Sequence, residues 1–149
     1  MPKIDVTDEG VIDATPLVTY NALLDEYRGE TNWSGTLYEL RGDLPIREGS
    51  IIDFTVNPKS RNKSKFAVKI TKMVEGRLIE EELSGALEGI GKWTFEPTAD
   101  GKTKVQVRMN ARTNGLLFSL MSPFVNLGKL VSEGHQQGFK ACNSHLSKK

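Results

Sequence analysis

The length, composition and charge of the chain exclude several classes of protein. The chain has 149 residues, of which 38% are hydrophobic and 26% are charged, so we expect a single globular domain over residues 1–149. Twenty basic and nineteen acidic residues leave a net charge of +1, too little to attract nucleic acid or an anionic membrane. The single cysteine excludes an internal disulfide, the first ten residues lack the apolar stretch of a signal peptide, and no apolar run reaches about eighteen residues. We therefore expect a cytoplasmic protein without stable membrane insertion.

The first part of the sequence predicts an edge strand followed by a helix. The segment from Ile4 to Ala14 mixes apolar and acidic residues, which is typical of a strand at the edge of a sheet. Thr15 and Pro16 then provide an N-cap hydroxyl and a proline at the first helical position. Apolar side chains recur at helical spacing up to Tyr27, and Gly29 is expected to end the helix.

From Thr36 to Ala111 the hydrophobic pattern changes to the alternation of a β-sheet. Strands are expected around residues 37–44, 52–56, 65–71, 78–83, 93–95 and 104–111. Glu75-Gly76 and Asp100-Gly101 are typical of hairpin turns, so the strands that they join are expected to run antiparallel.

After Gly115 the pattern is helical to the end of the chain. Ser122-Pro123 repeats the cap-and-proline signal, so the main helix is expected to begin or kink there. A continuous helix from Pro123 to Leu146 would be about 36 Å long at ~1.5 Å per residue. A block of strands between two helices indicates an α+β fold with the helices on one face of the sheet.

One face of this last helix combines bulky apolar residues with glycine. Its members recur at steps of three or four, and we expect their shared stripe to be buried. They are Phe124, Leu127, Val131, Gly134, Gly138 and Cys142. Glycine costs about 1 kcal/mol relative to alanine inside a helix. Two explanations stay open: glycine permits close packing against an aromatic residue of the sheet, such as Trp93 or Phe95, or it leaves free volume for a ligand.

Five short motifs follow one another along the chain. They are Ile12-Asp13-Ala14-Thr15-Pro16, Asn32-Trp33-Ser34-Gly35, Arg47-Glu48-Gly49-Ser50, Trp93-Thr94-Phe95-Glu96-Pro97 and Asp100-Gly101-Lys102-Thr103. In order and spacing the set resembles the START-related helix-grip superfamily (SRPBCC), which includes polyketide cyclase/dehydrase-like proteins, plant pathogenesis-related allergens, coenzyme Q-binding proteins and steroid-transfer domains. The resemblance covers nearly the whole chain. It implies a curved antiparallel sheet of six or seven strands wrapped around a long C-terminal helix, with a deep apolar cavity between them.

The resemblance implies a hydrophobic ligand in that cavity: a lipid, isoprenoid, sterol or polyketide-like molecule. From the alternation of the strands and the helix stripe, we expect the following residues to line it: Trp33, Phe54, Phe66, Val68, Glu81, Leu83, Trp93, Phe95, Val107, Met109, Phe124, Leu127, Val131, Gly134 and Gly138. We expect a monomer or weak dimer. The basic loop with Lys59, Arg61 and Lys63 lacks interleaved aromatic residues, so no nucleic-acid partner is expected.

Few arrangements in the sequence are typical of catalysis. His135 and His145 lie ten residues apart and cannot share a metal ion through adjacent helical turns, so we expect no metal site and no cofactor. Glu81 shares the inward face of its strand with Ile79 and Leu83, where a carboxylate with a raised pKa could do acid–base work. The pattern favours instead a position near the mouth of the sheet, where Glu81 is paired with a base.

Three functions remain compatible with the sequence. The inward positions are nearly all apolar, which favours a non-catalytic carrier or sensor of a hydrophobic small molecule over a polyketide cyclase/dehydrase-type enzyme. A protein-interaction module, as in the branch of the superfamily that activates a chaperone ATPase, would need a contiguous exposed apolar patch. The outward strand positions are instead polar: Lys65, Lys69, Lys104, Gln106 and Arg108.

Overall fold

The computed structural model describes residues 3–56, 64–113 and 127–148. Within these ranges the chain forms seven strands and two helices, which confirms the predicted α+β fold. The elements are β1 (Lys3–Ile12), α1 (Pro16–Tyr27), β2 (Leu37–Arg41), β3 (Ile51–Val56), β4 (Ser64–Val74), β5 (Leu78–Gly85), β6 (Leu87–Pro97), β7 (Thr103–Thr113) and α2 (Leu127–Ser147).

All seven strands belong to one antiparallel sheet in the order β1-β7-β6-β5-β4-β3-β2. Strand β1 therefore lies at one edge, as predicted, and β2 lies at the other. Each strand from β2 to β6 pairs with the next strand along the chain. Strand β1 pairs with β7 along its full length. The open, curved sheet with a C-terminal helix is the helix-grip arrangement that the motifs implied.

Glycine residues shape the middle of the sheet. Gly89 in β6 has a φ of +154°, and a Cβ atom there would lie 2.1 Å from the carbonyl oxygen of Asn110 and 2.5 Å from Cα of Ala111. The β4–β5 register shifts between Ile70 and Lys72, which is a bulge-like irregularity that bends a strand. These features let neighbouring strands approach closely while the sheet curves.

Two strand boundaries differ from the sequence prediction. Strand β6 begins at Leu87 and so extends well before Trp93, because glycine residues interrupt the alternation of side chains without ending the ladder. Strand β2 ends at Arg41 rather than Leu44, because Gly42 has a φ of +120° and turns the chain away.

Helix α1 begins and ends as the sequence predicted. The side chain of Thr15 accepts a hydrogen bond from the backbone N–H of Val18 at 3.3 Å, and Pro16 occupies the first turn. The helix ends at Tyr27, followed by Gly29 with a φ of +76°. Its inner face buries side chains against the concave side of the sheet, including Tyr20, Leu23, Leu24 and Tyr27.

Helix α2 docks along the free edge of β1. Gln136 Nε2 donates to the carbonyl oxygen of Glu9 at 3.1 Å, and Asn143 Nδ2 donates to that of Val11 at 2.9 Å. The backbone N–H of Asp13 donates to Asn143 Oδ1 at 2.7 Å. These side chains therefore satisfy backbone groups that an edge strand leaves without partners. The predicted cap at Ser122-Pro123 lies outside the described residues.

Close contact between β1 and α2 depends on a glycine in the strand. A Cβ atom at Gly10 would lie 2.5 Å from Cδ2 and 2.8 Å from Cγ of Phe139, which is buried. The glycine that permits close packing of the helix is therefore in the sheet, and the packed aromatic residue belongs to the helix.

Candidate ligand-binding cavity

A cavity of about 870 Å³ lies between the concave face of the sheet, α1 and α2. Binding sites for small molecules typically measure about 300–1,000 Å³. Most of its lining side chains are apolar or aromatic, so the space suits a molecule that is largely hydrophobic.

The structure places nearly all of the predicted lining residues around this cavity. They are Trp33, Phe54, Phe66, Val68, Glu81, Trp93, Phe95, Val107, Met109, Leu127, Val131, Gly134 and Gly138. Leu83 is different: it is buried in a cluster with Ile4, Phe66 and Leu87, and it does not line the cavity. Phe124 lies outside the described residues.

The two glycines of the α2 stripe border open space. A Cβ atom built at either Gly134 or Gly138 would have no heavy atom of another described element within 4 Å. Gly134 is exposed and Gly138 is half-buried, so the stripe is not buried along its whole length as expected. The same stripe continues to Cys142, which is buried. Of the two explanations, close packing against Trp93 or Phe95 does not describe these glycines, because neither ring lies within 4 Å of a Cβ atom built at them. The free-volume explanation fits the geometry.

Aromatic rings form the part of the cavity beneath α1. Tyr27 of α1 lies 5.5 Å from Tyr38 of β2 and 5.6 Å from Phe54 of β3, measured between ring centroids. Tyr38 and Phe54 meet edge to face at 4.3 Å, and Phe54 also lies 4.9 Å from Phe66. Burial raises the pKa of Tyr38 to about 12, so its hydroxyl is neutral at ordinary pH.

Glu81 is a buried carboxyl group in the lining of the cavity, with a relative exposure of 6%. Its Oε2 accepts a hydrogen bond from the Tyr27 hydroxyl at 2.9 Å, and its Oε1 accepts one from Trp93 Nε1 at 3.2 Å. The predicted position near the mouth, paired with a base, is therefore wrong: both of these partners are neutral. Burial raises the pKa of Glu81 to about 7, and the two hydrogen bonds oppose this rise.

A glycine on the neighbouring strand makes room for that carboxyl group. Gly91 is the register partner of Glu81 across the β5–β6 pair. A Cβ atom at Gly91 would lie 3.1 Å from both Cγ and Oε1 of Glu81, closer than side chains normally pack. The absence of a side chain at Gly91 thus allows Glu81 to lie along the sheet and reach Trp93.

The two histidines contact different tryptophans. His135 Nδ1 lies 2.7 Å from Oδ2 of Asp8 in β1, and its ring lies 6.2 Å from that of Trp93. The ring of His145 lies 6.4 Å from that of Trp33. Over the described ranges, no group of three or more histidine, cysteine, aspartate or glutamate residues is arranged to hold a metal ion.

A buried glutamate of α1 positions the loop that carries Trp33. Glu26 is completely buried, and its carboxylate accepts hydrogen bonds from Thr31 Oγ1 at 2.7 Å and from the backbone N–H of Trp33 at 3.0 Å. It also accepts from the N–H and hydroxyl of Ser34, at 3.3 and 2.6 Å. The loop after α1 is thereby held at the cavity.

Several lining residues were not among the predicted ones, including Tyr27, Tyr38 and His135. Tyr27 belongs to the apolar face of α1, so the helical spacing showed that it is buried. The spacing did not show that its hydroxyl reaches Glu81, which is 54 residues away in the sequence. Tyr38 shares a face with Leu40 and alternates with the exposed Leu37 in a weakly patterned strand, and only the fold brings it to the cavity.

Comparisons with known proteins agree on the fold. No protein-family model and no curated protein matches the sequence. A START superfamily protein from Mycobacterium smegmatis superposes with a TM-score of 0.71 at 16% identity, over 97% of each chain. The Zhui aromatase/cyclase from Streptomyces sp. R1128 gives 0.72 at 11% identity, over 99% of this chain and 95% of that one. Ara h 8.0201 gives 0.70 at 18% identity, over 99% and 100%. The chain therefore has the helix-grip fold of START-related proteins.

Within residues 3–56, 64–113 and 127–148, no helix combines the length and apolar character of a membrane span.

Proposed function

We propose that this protein binds a hydrophobic small molecule in the cavity between its sheet and α2. The observation that carries the proposal is the cavity of about 870 Å³ beside a helix stripe whose glycines contact no other described element. Filling such a space with larger side chains would give more favourable packing and a better helix. Space left unfilled in this way is what a binding site requires.

The polar groups of the sheet support a binding role over a protein-docking role. Lys65, Lys69 and Lys104 are exposed and do not line the cavity, and Arg108 is exposed at its border. Arg108 forms an ion pair with Asp5 at 3.0 Å, and Lys104 forms one with Glu9 at 3.6 Å. Charges at these described positions do not favour the contiguous apolar patch that a protein-interaction module would present there.

A second candidate is an enzyme of the polyketide cyclase/dehydrase type. The observation in its favour is that Glu81 and His135 both line the cavity, with His135 oriented by the carboxylate of Asp8. An imidazole held in this way is a typical general base. The structural similarity to an aromatase/cyclase supports a shared fold and gives no evidence for a shared activity. Conversion of a poly-β-ketone substrate by the wild type, lost in His135→Asn, would support the enzyme.

Binding is tested with an uncharged fluorescent probe such as N-phenyl-1-naphthylamine. The proposal predicts saturable binding of about one probe per chain, with a blue-shifted emission from an apolar environment. Native mass spectrometry after gentle purification should also show a co-purified lipophilic compound. Absence of saturable binding for this probe and for fatty acids of graded length would contradict the proposal.

A further inference from the structure

The carboxyl group of Glu81 lines the cavity, and none of the described residues pairs it with a positive charge. Its two hydrogen-bond donors, Tyr27 and Trp93, are both neutral. A buried carboxylate is strongly disfavoured unless a positive charge or several hydrogen bonds compensate for the loss of water. Each carboxylate oxygen can accept a further hydrogen bond, because a carboxylate offers about four acceptor sites.

The charged and titratable groups on the surrounding elements do not provide the missing charge. From α1, Tyr27 is neutral because burial raises its pKa well above the ordinary value, and Glu26 is an acid bound to its own loop. From β2, Tyr38 is also neutral. Strand β4 faces Glu81 with Ile70, and β6 faces it with Gly91 and Trp93.

The other titratable groups of the lining do not provide a positive charge for Glu81 either. Glu133 of α2 is itself an acid, at an exposed position. His135 of α2 contacts Trp93, but its Nδ1 is bound to Asp8. The guanidinium group of Arg108 binds Asp5 and Thr7, both exposed residues of β1. Among the described residues that line the cavity, no lysine or arginine is bonded to Glu81.

Aromatic side chains lie beside the same carboxyl group and in the adjoining lining of the cavity. Tyr27, which donates to Glu81, packs against Tyr38 and Phe54, and Trp93 donates from the other side. Faces of aromatic rings attract cations, and recognition of ammonium groups by clusters of such rings is their best-known use. A carboxylate among aromatic rings is therefore suited to a positively charged nitrogen.

We propose that the ligand is an amphiphile with a protonated amine, whose ammonium group binds Glu81 between Tyr27 and Trp93 while its apolar part fills the rest of the cavity. This inference rests on the proposed function and specifies the chemical class of the ligand. The ammonium group provides the missing positive charge, and its N–H groups use the free acceptor sites of the carboxylate.

The proposal makes amine binding dependent on pH. Burial raises the pKa of Glu81 to about 7. An ammonium group binds the ionised carboxylate, so the affinity for an amine should rise as the pH increases through that value. The affinity for an uncharged molecule of the same shape should change little.

The experiment compares two competitors that differ only at the polar end. 2-(1-Naphthyl)ethylamine and 2-(1-naphthyl)ethanol each displace the uncharged probe N-phenyl-1-naphthylamine from the wild-type protein. At pH 8 we expect the amine to bind at least about tenfold more tightly than the alcohol, the effect of one charged hydrogen bond. At pH 5.5 we expect this preference to shrink.

Variants assign the preference to the carboxyl group. In Glu81→Gln the two competitors should bind within about twofold of each other at both pH values, whereas the preference should persist in Glu82→Gln, an exposed position on the same strand. In Tyr27→Phe, which keeps the ring but removes a donor to the carboxylate, the preference should appear only at a higher pH. His135 is unchanged in these proteins, so their comparison isolates Glu81.

The outcomes separate this inference from the proposed function. Probe binding without any preference for the amine, or a preference that persists in Glu81→Gln, would overturn the amine proposal alone. No saturable probe binding by the wild type would overturn the proposed function instead. If Glu81→Gln does not fold, an unchanged pH dependence in Tyr27→Phe would also overturn the amine proposal.

Discussion

Glu81 shows how the environment of one residue determines its role. The same side chain on the exposed face of β5 would be an ordinary surface acid, as Glu82 is. On the inner face it loses water and gains only two neutral donors. Glu81 consequently binds its proton more tightly in the folded protein than in the unfolded chain. Ionisation of Glu81 therefore lowers the free energy of unfolding.

We expect Glu81 to make the protein less stable as the pH rises. Burial raises its pKa from an ordinary 4.5 to about 7, so the folded protein holds a proton that the unfolded chain releases. The resulting cost is absent below pH 4.5, grows between the two pKa values, and reaches roughly 3 kcal/mol above the higher one. Glu81→Gln should therefore gain stability relative to the wild type between pH 5 and pH 8, as measured by urea denaturation.

The control for this prediction is Glu82→Gln, which removes an acid from the exposed face of the same strand. It should follow the pH dependence of the wild type. A difference in unfolding free energy between Glu81→Gln and wild type that stays constant from pH 5 to pH 8 would contradict the prediction.

Glu26 is a second buried acid, and its role is structural. Its carboxylate accepts from two backbone N–H groups, of Trp33 and Ser34, that would otherwise be left without these bonds. We expect Glu26→Ala to reduce the free energy of unfolding by about 1–3 kcal/mol, because partly buried donors lose their acceptor. Urea denaturation measures this, with Glu30→Ala, an exposed position, as the control. Equal stability of the two variants would show that the loop is held by other contacts.

At the scale of elements, the junction between β1 and α2 determines where the cavity can form. The helix is fixed at the edge strand by side-chain hydrogen bonds and by the contact of Gly10 with Phe139. Held there, α2 borders the cavity on the concave side of the sheet, and its glycine stripe stays clear of the other described elements. One side of the helix is thus packed closely and the other borders the cavity.

We expect Gly10→Ala to destabilise the protein by about 1–3 kcal/mol, the usual cost of overpacking. The new Cβ atom would meet Cγ of Phe139 as well as the outer ring, so a rotation of the ring alone cannot relieve the contact. In the Phe139→Leu background the same substitution should cost less, which a double-mutant cycle measures by thermal or urea denaturation. Additive effects of the two substitutions would contradict this contact.

The elements differ in how clearly the sequence predicts them. Strand β7 was predicted well because its inward residues alternate strictly, and α1 because Thr15, Pro16 and Gly29 mark both of its ends. The beginning of β6 was missed because Gly89 and Gly91 have no side chains to contribute to a pattern. These two positions require glycine because a Cβ atom there would lie too close to the neighbouring strands.

At the scale of the whole molecule, the sequence predicts some features of the cavity and not others. Its lining could largely be predicted, because the alternation of strands and the stripe of α2 show which side chains point inward. Its polar chemistry could not, since Glu81 acquires its partners from α1 and β6 only after folding. Whether the glycines of α2 are packed or open also depends on how far the helix lies from the sheet, a distance that no local pattern encodes.

The most direct test of a ligand cavity is to fill it from α2. Gly134→Leu and Gly138→Leu place a side chain in space where no atom of another described element lies within 4 Å of the Cβ position. We expect the affinity for the uncharged probe to fall at least about tenfold, while the melting temperature stays level or rises because leucine is the better helix former by roughly 0.8 kcal/mol. Lys140→Leu, at an exposed position of the same helix, should leave probe binding unchanged. A lowered melting temperature in both glycine variants, together with undiminished probe binding, would contradict the account.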